Sequence, residues 1–324
     1  MKVRVVGAGV VGLTSALRLA EAGHQVEVVA AELGESTTSA IAAALWYPYL
    51  ATPNARVTRW LRTSFAALTA LAADPGTGVR LRSGRELFRE PVADPWWRSA
   101  VPDLARIAED QLPAGYLDGY SLTVPVVDMA VHLAWLLDRL RDRGAGIETR
   151  RLTGLPAALA GVEAVVNCAG LGARELAGDP TLSPVRGQII VVEQFGLTEW
   201  LLDQNDPERL TYLVPRAETV ILGGTSEEGD ADPEVRPATA EAILARCAAL
   251  VPAAATARIV SHRVGLRPVR PAVRLETELL ADGPVVHCYG HGGSGVTLAY
   301  GCAAGVLDQV GRLSPQDCPI PEGA

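Results

Sequence analysis

The chain has 324 residues, enough for two domains with buried cores, and its 48% hydrophobic and 20% charged residues are typical of a globular protein. A net charge of -8 and the lack of a basic stripe argue against nucleic-acid binding. No apolar run reaches membrane-spanning length and the N-terminus enters a strand directly, so we expect no membrane partner and a cytoplasmic location.

Lysine, cysteine and histidine usage narrows the possible chemistry. Lys2 is the only lysine, which excludes lysine-based Schiff-base chemistry and a Walker-type phosphate site. The five cysteines and five histidines are dispersed without the spacing of metal ligands, so we predict no metal site. An odd number of scattered cysteines also indicates a reducing compartment.

The first unit of the chain is a strand, a glycine-rich turn and a helix, followed by a second strand at 25–30. In a GxGxxG turn the first glycine permits the tight bend, the second lets a pyrophosphate approach, and the third lets helix and strand pack closely. The helix N-terminus offers unpaired N–H groups to the phosphates. The pattern therefore predicts a dinucleotide at Gly7, Gly9, Val10, Val11 and Gly12.

Polar residues follow the second strand at two places. Glu32 stands about 20 residues beyond the last glycine, as a ribose-binding acid would, although a solvated surface glutamate fits equally. Thr37, Thr38 and Ser39 form a hydroxyl cluster beside small residues. This cluster fits either a ligand contact or the N-cap of a helix.

The remaining elements alternate between two kinds of pattern. Helices are predicted at 56–72, from Asp128 to Gly144, at 238–250 and at 295–311, and strands at 79–82, 85–89, 147–152, 163–168, 188–193, 210–214, 219–223, 258–266 and 284–289. Nucleotide-type elements thus occur at the beginning, middle and end of the chain. We predict an α/β fold with a discontinuous Rossmann-like domain (1–50, 125–185 and 258–312), an inserted mixed or antiparallel-sheet substrate domain (51–124 and 186–257), and a loose C-terminal tail (313–324).

Two residues have reactive side chains but are expected to be structural. Cys168 ends a buried strand that turns at Gly170, and no histidine or carboxylate stands beside it to generate a thiolate. His291 lies in a later glycine loop, where we expect it to form structural hydrogen bonds.

Residues 264–297 contain two features that hold negative charge. Arg267 precedes Pro268, which favours an extended backbone, and its guanidinium suits a carboxylate, although an ion pair on the strand surface is the alternative. Strand alternation and the proline bends do not place Arg267, Arg270 and Arg274 all on one side. The glycine loop at 290–295 opens a helix whose positive end suits an electron-rich ring such as a flavin.

Together these segments resemble the D-amino-acid oxidase family of flavoenzymes. They fall in order along nearly the whole chain, at 7–12, 37–46, 166–170, 186–188, 212–215, 265–271 and 289–293. The last two are specific as a pair, whereas the GxGxxG turn is shared by many families.

The resemblance implies FAD in an extended conformation, with the substrate domain covering the flavin. It implies that Arg267 and the Tyr212 hydroxyl bind the substrate α-carboxylate and that the Gly293 carbonyl accepts a hydrogen bond from the substrate amino group. The cofactor residues that it implies are Gly7, Gly9, Val10, Val11, Gly12, Glu32, Thr37, Thr38, Ser39, Ala44, Leu45, Leu152, Ala169, Gly170, Arg267, Gly292, Gly293, Gly295, Val296 and Thr297.

The implied reaction is oxidative deamination of D-amino acids with neutral side chains. Hydride passes from Cα to flavin N5, dioxygen reoxidises the flavin, and the products are a 2-oxo acid, ammonia and hydrogen peroxide. A homodimer is part of the same expectation.

Three other functions remain open on the sequence. A D-aspartate oxidase would need a further cation, for which Arg209 and Arg216 are candidates. A glycine or sarcosine oxidase and a non-catalytic dinucleotide-binding protein are the other two. Several family members carry a second tyrosine in the lid, and the loop at 203–209 has none, so the resemblance does not extend to lid closure or side-chain preference.

Overall fold

The computed structural model describes residues 1–206, 209–313 and 317. The predicted loose tail therefore lies outside the described residues, apart from Leu313 and Asp317. No helix in the described part of the chain combines the length and apolar character needed to cross a bilayer.

Strands and helices make comparable contributions to the regular structure. In chain order the described residues form β1 (Lys2–Val6), β2 (Gln25–Ala30), β3 (Val79–Phe88), β4 (Ala105–Arg106), β5 (Asp118–Val127), β6 (Gly146–Thr149), β7 (Ala164–Asn167), β8 (Ser183–Glu193), β9 (Trp200–Asp203), β10 (Thr211–Pro215), β11 (Thr219–Gly223), β12 (Glu227–Glu228), β13 (Ile259–Leu280) and β14 (Gly283–His291).

Helices cover the sheet on its parallel half and on part of its antiparallel half. They are α1 (Val10–Glu21), α2 (Thr38–Ile41), α3 (Ala55–Leu71), α4 (Met129–Arg141), α5 (Leu155–Leu159), α6 (Ala173–Leu176), α7 (Pro237–Leu250) and α8 (Gly295–Val310). The predicted N-cap is confirmed, since the Asp128 carboxylate accepts a hydrogen bond from the Ala130 N–H at 3.2 Å.

The strands form one mixed sheet in the order β4-β5-β3-β9-β10-β11-β8-β13-β14-β7-β1-β2-β6, with β12 paired to β8. The part from β14 to β6 is parallel, as in nucleotide-binding folds, because β7 pairs with both β1 and β14 and β2 pairs with β1 and β6. The other part is mainly antiparallel. The predicted α/β class with a mixed sheet is confirmed, and the domain boundaries stay a prediction.

Strand β13 joins the two parts and is far longer than the predicted strand at 258–266. Its first half pairs with β8 and its second half with β14, and the register shifts between Val269 and Arg274. Pro268 and Pro271 lie at this shift and lack the N–H that a continuous ladder needs. Arg267 is thereby placed where the antiparallel part of the sheet meets the parallel part.

Other differences from the predicted elements are local. Strand β3 is continuous over the two predicted strands at 79–82 and 85–89, and β5 was not predicted. Buried and exposed residues do not alternate strictly along either strand, and Pro125 and the polar residues of β5 further weaken its strand pattern.

The main core lies between the helices and the sheet. Helices α1, α3, α4 and α8 pack together on one face, and Gly301 of α8 lies directly against α3. A Cβ built on Gly301 would lie 2.3 Å from the Trp60 carbonyl oxygen, and the Gly301 N–H donates to the Ser64 hydroxyl at 2.8 Å. This packing fixes α8, and with it the glycine loop that precedes the helix.

Candidate active site

A cavity of about 740 Å³ runs from the β1–α1 turn to the N-terminal end of α8 and on to β10. This volume is at the large end for small-molecule sites. The predicted cofactor and substrate residues line it with one exception: Thr297 is not in the lining, and its hydroxyl is hydrogen-bonded to the backbone N–H and carbonyl of Tyr47.

The β1–α1 turn has the close contacts that its glycines predict. A Cβ on Gly12 would lie 2.0 Å from the Gly7 carbonyl oxygen, and one on Gly7, whose φ is +110°, would lie 2.4 Å from the Cys168 carbonyl oxygen. The N-cap Gly9 has no side-chain cap, and the first turn of α1 has no acidic residue. Its positive end is therefore available to an anion in the cavity.

The hydroxyl cluster includes the N-cap of a helix and is also positioned along the cavity, so the ligand contact stays a prediction. Thr37 caps α2, since its oxygen accepts from the Ala40 N–H at 3.4 Å, and Ser39 accepts from the Val10 N–H at 2.9 Å. Thr37, Thr38 and Ser39 all line the cavity as well. Ser39 therefore ties α2 to the start of α1 at the predicted phosphate site.

The far end of the predicted dinucleotide site is formed by loops after β2, β6 and β7. Glu32 is exposed and lines the cavity, as a ribose-binding acid would, and Leu152 and Ala169 line it from the other side. Gly170 has a φ of +57°, a left-handed conformation that favours glycine. These positions are compatible with the predicted adenosine end.

The loop before α8 brings backbone close to the cavity. Gly292 has a φ of +56°, and a Cβ on Gly293 would lie 2.4 Å from the Tyr49 ring. The hydroxyl of Ser294, the N-cap of α8, donates to the Tyr49 carbonyl instead of capping the helix. The first turn of α8 has no acidic residue, so its positive end also meets the cavity uncompensated.

Arg267 is half-buried at the cavity wall. Its Nη1 donates to the Thr225 carbonyl at 2.9 Å, and its guanidinium carbon lies 5.5 Å from the centroid of the Tyr49 ring. The guanidinium rests on Gly187, where a Cβ would lie 2.5 Å from Nη2. These contacts fix the position of the side chain and leave donors free for a ligand.

The other arginines of β13 have carboxylate partners, and Arg267 has none among the residues that the structure describes. Arg263 lies 3.9 Å from Glu35, and Arg270 lies 2.8 Å from Asp179. Arg274 pairs with Glu276 at 2.7 Å and Glu278 at 3.0 Å and donates to the Tyr289 hydroxyl at 2.8 Å. The ion-pair alternative for Arg267 is thus not observed.

Tyr212 stands beside Arg267. Burial raises the pKa of its hydroxyl, and the positive charge of Arg267 opposes that rise. Its ring lies over Gly223 and Gly224, where any Cβ would come within 2.5 Å of ring or hydroxyl atoms. Tyr212 therefore lines the cavity with its hydroxyl protonated, and its ring packs on the glycine backbone.

A second polar group at the cavity was not predicted from the sequence: Tyr47 and Gln204 line the cavity and contact Glu86, which is buried and not part of the lining. The Tyr47 hydroxyl donates to Glu86 Oε2 at 2.6 Å, and the Gln204 amide donates to Glu86 Oε1 at 3.3 Å. Glu86 is 3% exposed, and burial raises its pKa to about 7, against the opposing effect of these two hydrogen bonds. The only sequence signal for Glu86 is the alternation of side chains between the two faces of β3. Its hydrogen-bond partners come from distant segments, so no local pattern indicates them.

His291 and the cysteines differ in part from what was expected. His291 is buried in the cavity wall, its Nε2 has no hydrogen-bond partner in the described structure, and burial lowers its pKa to about 4. Cys168 is buried, and its pKa is raised well above the usual value by the adjacent Cys288 thiol and by burial. Possible ligand atoms of Cys288, His291 and Cys302 lie within 4.8 Å of one another, a cluster that sequence spacing did not indicate.

The two arginines considered for an acidic substrate lie outside the cavity lining. Arg216 is buried, donates to the Ala42 carbonyl at 2.6 Å and lies 4.0 Å from Asp128. Arg209 is exposed. Neither is placed to bind a second carboxylate of a substrate held at Arg267.

Comparison with known proteins identifies the family. A family model described as FAD-dependent oxidoreductase (DAO) matches residues 2–309. The chain belongs to this family. A D-amino-acid oxidase of Rubrobacter xylanophilus is 54% identical over 301 residues, which cover 92% of each chain. A D-amino-acid oxidase of Streptomyces coelicolor is 47% identical over 307 residues, 93% of this chain and 94% of the relative.

A solved structure agrees with this fold. The glycine oxidase of Geobacillus kaustophilus superposes with a TM-score of 0.82 over 99% of both chains, at 20% identity. The cofactor of this FAD-dependent oxidoreductase is FAD, and the cavity fits it. Close backbone contacts at Gly7 and Gly12 shape the turn for a pyrophosphate, and the α8 N-terminus suits the flavin.

Proposed function

We propose that the chain catalyses oxidative deamination of D-amino acids, with Arg267 as the residue that binds the substrate carboxylate. The observation that carries this proposal is an arginine that lines the cofactor cavity without a carboxylate partner among the described residues. A guanidinium so placed suits a ligand carboxylate, because its free donors form a fixed fork. Both high-identity relatives bear the name D-amino-acid oxidase.

The residues near Arg267 have roles that follow from their positions. The Tyr212 hydroxyl is a second donor for the carboxylate, and the Gly293 carbonyl is an acceptor for the amino group. Three contacts at the Cα substituents fix which face of the substrate carries the Cα–H toward the cofactor. We expect this orientation to give the preference for D-amino acids.

The chemistry needs no general base from the chain once the substrate amine is neutral. His291 is neutral near pH 7, since burial lowers its pKa to about 4, and Tyr212 keeps its proton. Bound FAD supplies the acceptor for the hydride of Cα. The chain orients the substrate, holds its charge and excludes water from the reacting atoms.

Several finer statements belong to this proposal. Dioxygen is the expected electron acceptor, and a 2-oxo acid, ammonia and hydrogen peroxide are the products. A homodimer, a cytoplasmic location and a preference for neutral side chains stay predictions from the sequence. The four described cysteines are free and buried, and Cys318 lies outside the described residues.

The test is a peroxide and ammonia assay of the yellow protein with matched D- and L-amino acids. We expect D-alanine, D-valine and D-methionine to give equal amounts of peroxide and ammonia, and their L-enantiomers to give neither. Turnover of glycine or sarcosine above that of every D-amino acid would favour the glycine-type alternative. A yellow protein without turnover of any amino acid would overturn the proposal.

A further inference from the structure

The side-chain end of the substrate site is defined by a row of residues across three strands. Tyr212 of β10 pairs with Leu202 of β9, and Leu202 pairs with Glu86 of β3. Paired residues on adjacent strands point to the same face of a sheet. Tyr212 and Leu202 line the cavity, so Glu86 is the next side chain on the cavity side of the sheet.

The row also gives the approximate distance between Tyr212 and Glu86. Adjacent strands are about 4.8 Å apart, so Glu86 lies roughly 10 Å along the sheet from Tyr212. When Arg267 and Tyr212 hold the substrate carboxylate, the substrate side chain can extend either along this row or away from it. A long side chain that follows the row ends beside Tyr47 and Gln204, which line the cavity in front of Glu86.

The Glu86 carboxyl group is buried without a positive partner in the described structure. Its hydrogen bonds come from Tyr47 and Gln204, and the other ionisable group facing it is Tyr120, its neighbour on β5. Buried carboxylates are usually paired with a cation, and an unpaired one is costly. The partner that this site lacks can be supplied by a ligand.

Glu86 also controls which atoms Tyr47 and Gln204 present. An ionised carboxylate only accepts hydrogen bonds, so the Tyr47 hydroxyl and the Gln204 amide must both act as donors to it. The lone pairs of the Tyr47 oxygen and the Gln204 carbonyl oxygen are then left as acceptors. Two acceptors backed by a negative charge match an ammonium or guanidinium group and repel a carboxylate.

We propose that Glu86 is a specificity-determining residue that makes the side-chain pocket select long D-amino acids with a cationic end, such as D-lysine, and reject acidic ones. The proposal rests on the function proposed above. Glu86 acts through Tyr47 and Gln204, so it is a positioning residue and not one that contacts the reacting atoms. Neutral substrates that do not reach this group are unaffected.

The experiment compares substrates of matched shape in the FAD-bound enzyme at pH 8.5. For the unchanged protein, kcat/KM is measured with D-lysine and D-norleucine, and with D-glutamate and D-glutamine. Glu86→Gln keeps the shape of the side chain and removes its charge, and Glu90→Gln, which removes an exposed carboxylate just beyond β3, is the control. We expect Glu86→Gln to lower the D-lysine to D-norleucine ratio at least tenfold and to raise the D-glutamate to D-glutamine ratio.

Each result has a defined meaning. The control should keep both ratios, and D-norleucine turnover by Glu86→Gln should stay within about threefold. An equal loss for all substrates with unchanged ratios would show a merely structural role and overturn the proposal, as would unchanged ratios at full activity. If Glu86→Gln does not fold, Tyr47→Phe, which removes one acceptor, must lower the D-lysine ratio or the proposal fails. Turnover of D-norleucine separates failure of this inference from failure of the proposed function.

Discussion

Single residues at the cavity are suited to bind charge because they have no partner of opposite charge among the described residues. Arg267 contacts a carbonyl, a glycine and an aromatic ring, whereas the other arginines of β13 are bound to carboxylates. A guanidinium without a resident anion keeps its donors for a substrate. The same reasoning applies in reverse to Glu86, a buried acid without a resident cation.

Removing the Tyr212 hydroxyl tests its share in carboxylate binding. We expect Tyr212→Phe to raise KM for D-alanine about tenfold, because one hydrogen bond to a charged group is lost and its loss costs roughly 1.5 kcal/mol. The flavin absorbance of the purified protein should be unchanged. Steady-state kinetics measure this KM, and an unchanged value would show that Tyr212 does not bind the substrate carboxylate.

Glu86 predicts a pH dependence of stability. Because burial raises its pKa from 4.5 to about 7, the folded protein retains a proton between these pH values that the unfolded chain has released. The unfolding free energy therefore falls as pH rises through this window. Glu86→Gln lacks this effect, so its stability relative to the unchanged protein should increase between pH 4.5 and 8, by at most about 3.5 kcal/mol at 1.4 kcal/mol per pKa unit.

Urea unfolding of both FAD-bound proteins at pH 5 and pH 8 measures this difference. Glu90→Gln provides the control, since its carboxylate is exposed. A constant difference between the proteins at the two pH values would mean that Glu86 is not held in its neutral form by burial.

Secondary-structure elements place both positive helix ends in the same cavity. The N-terminus of α1 follows the GxGxxG turn, and that of α8 follows the loop at 292–294. Neither has an acidic residue in its first turn or a side-chain cap from its own N-cap residue, and Ser39 accepts a hydrogen bond from only the first N–H of α1. The positive ends of these two helices are compatible with the predicted positions of the phosphates and of the electron-rich part of a flavin.

The close packing at the first of these turns leads to a prediction on cofactor binding. Gly12→Ala should yield protein with little or no flavin, because the added Cβ would lie 2.0 Å from the Gly7 carbonyl and must move the turn. Gly146→Ala is a matched control, since its nearest neighbour would be 3.7 Å away. The absorbance ratio at 450 and 280 nm measures FAD content. Full flavin content in Gly12→Ala would contradict the proposed role of the turn.

Elements with strong local signals were predicted from the sequence, and those that depend on distant partners were not. The βαβ unit, the Asp128 cap and the glycine loop before α8 each carry their own signature, and they were found at the expected positions. A functional role for Arg267 was predicted because of its flanking prolines. Thr297 lies outside the cavity lining, and its hydrogen bond to Tyr47, 250 positions away, has no local sequence signal.

The Glu86 group shows the same limit more clearly. Its partner Gln204 is 118 positions away and belongs to the loop whose missing tyrosine left the side-chain preference undetermined. Sequence patterns report burial and chain direction over short segments. They do not report which side chains a mixed sheet brings into one row.

At the scale of the whole molecule, the cavity spans elements from both ends of the chain. Its lining includes residues of β1, α1 and β2 near the N-terminus and of β13, β14 and α8 near the C-terminus. A bound cofactor therefore links segments that are distant in sequence, and it stabilises the folded state by mass action.

Removal of FAD should accordingly lower the thermal unfolding midpoint. Adding FAD to the stripped protein at 100 times its dissociation constant should restore about 2.7 kcal/mol of stability. Thermal unfolding followed by tryptophan fluorescence at several FAD concentrations measures the effect. A midpoint that does not respond to FAD would show that the cavity does not bind the cofactor in the folded state.

The central claim at the residue, element and whole-molecule scales is that Arg267 holds the substrate carboxylate in front of a bound flavin. Its most direct test is anaerobic reduction of the flavin by D-alanine in Arg267→Ala, with Arg263→Ala on the same strand as control. Loss of a charge-assisted pair costs about 3 kcal/mol or more, so the D-alanine concentration for half-maximal reduction rate should rise at least 100-fold in Arg267→Ala. Both variants should remain yellow, and the control should match the unchanged protein. Normal reduction of Arg267→Ala by D-alanine would contradict the account.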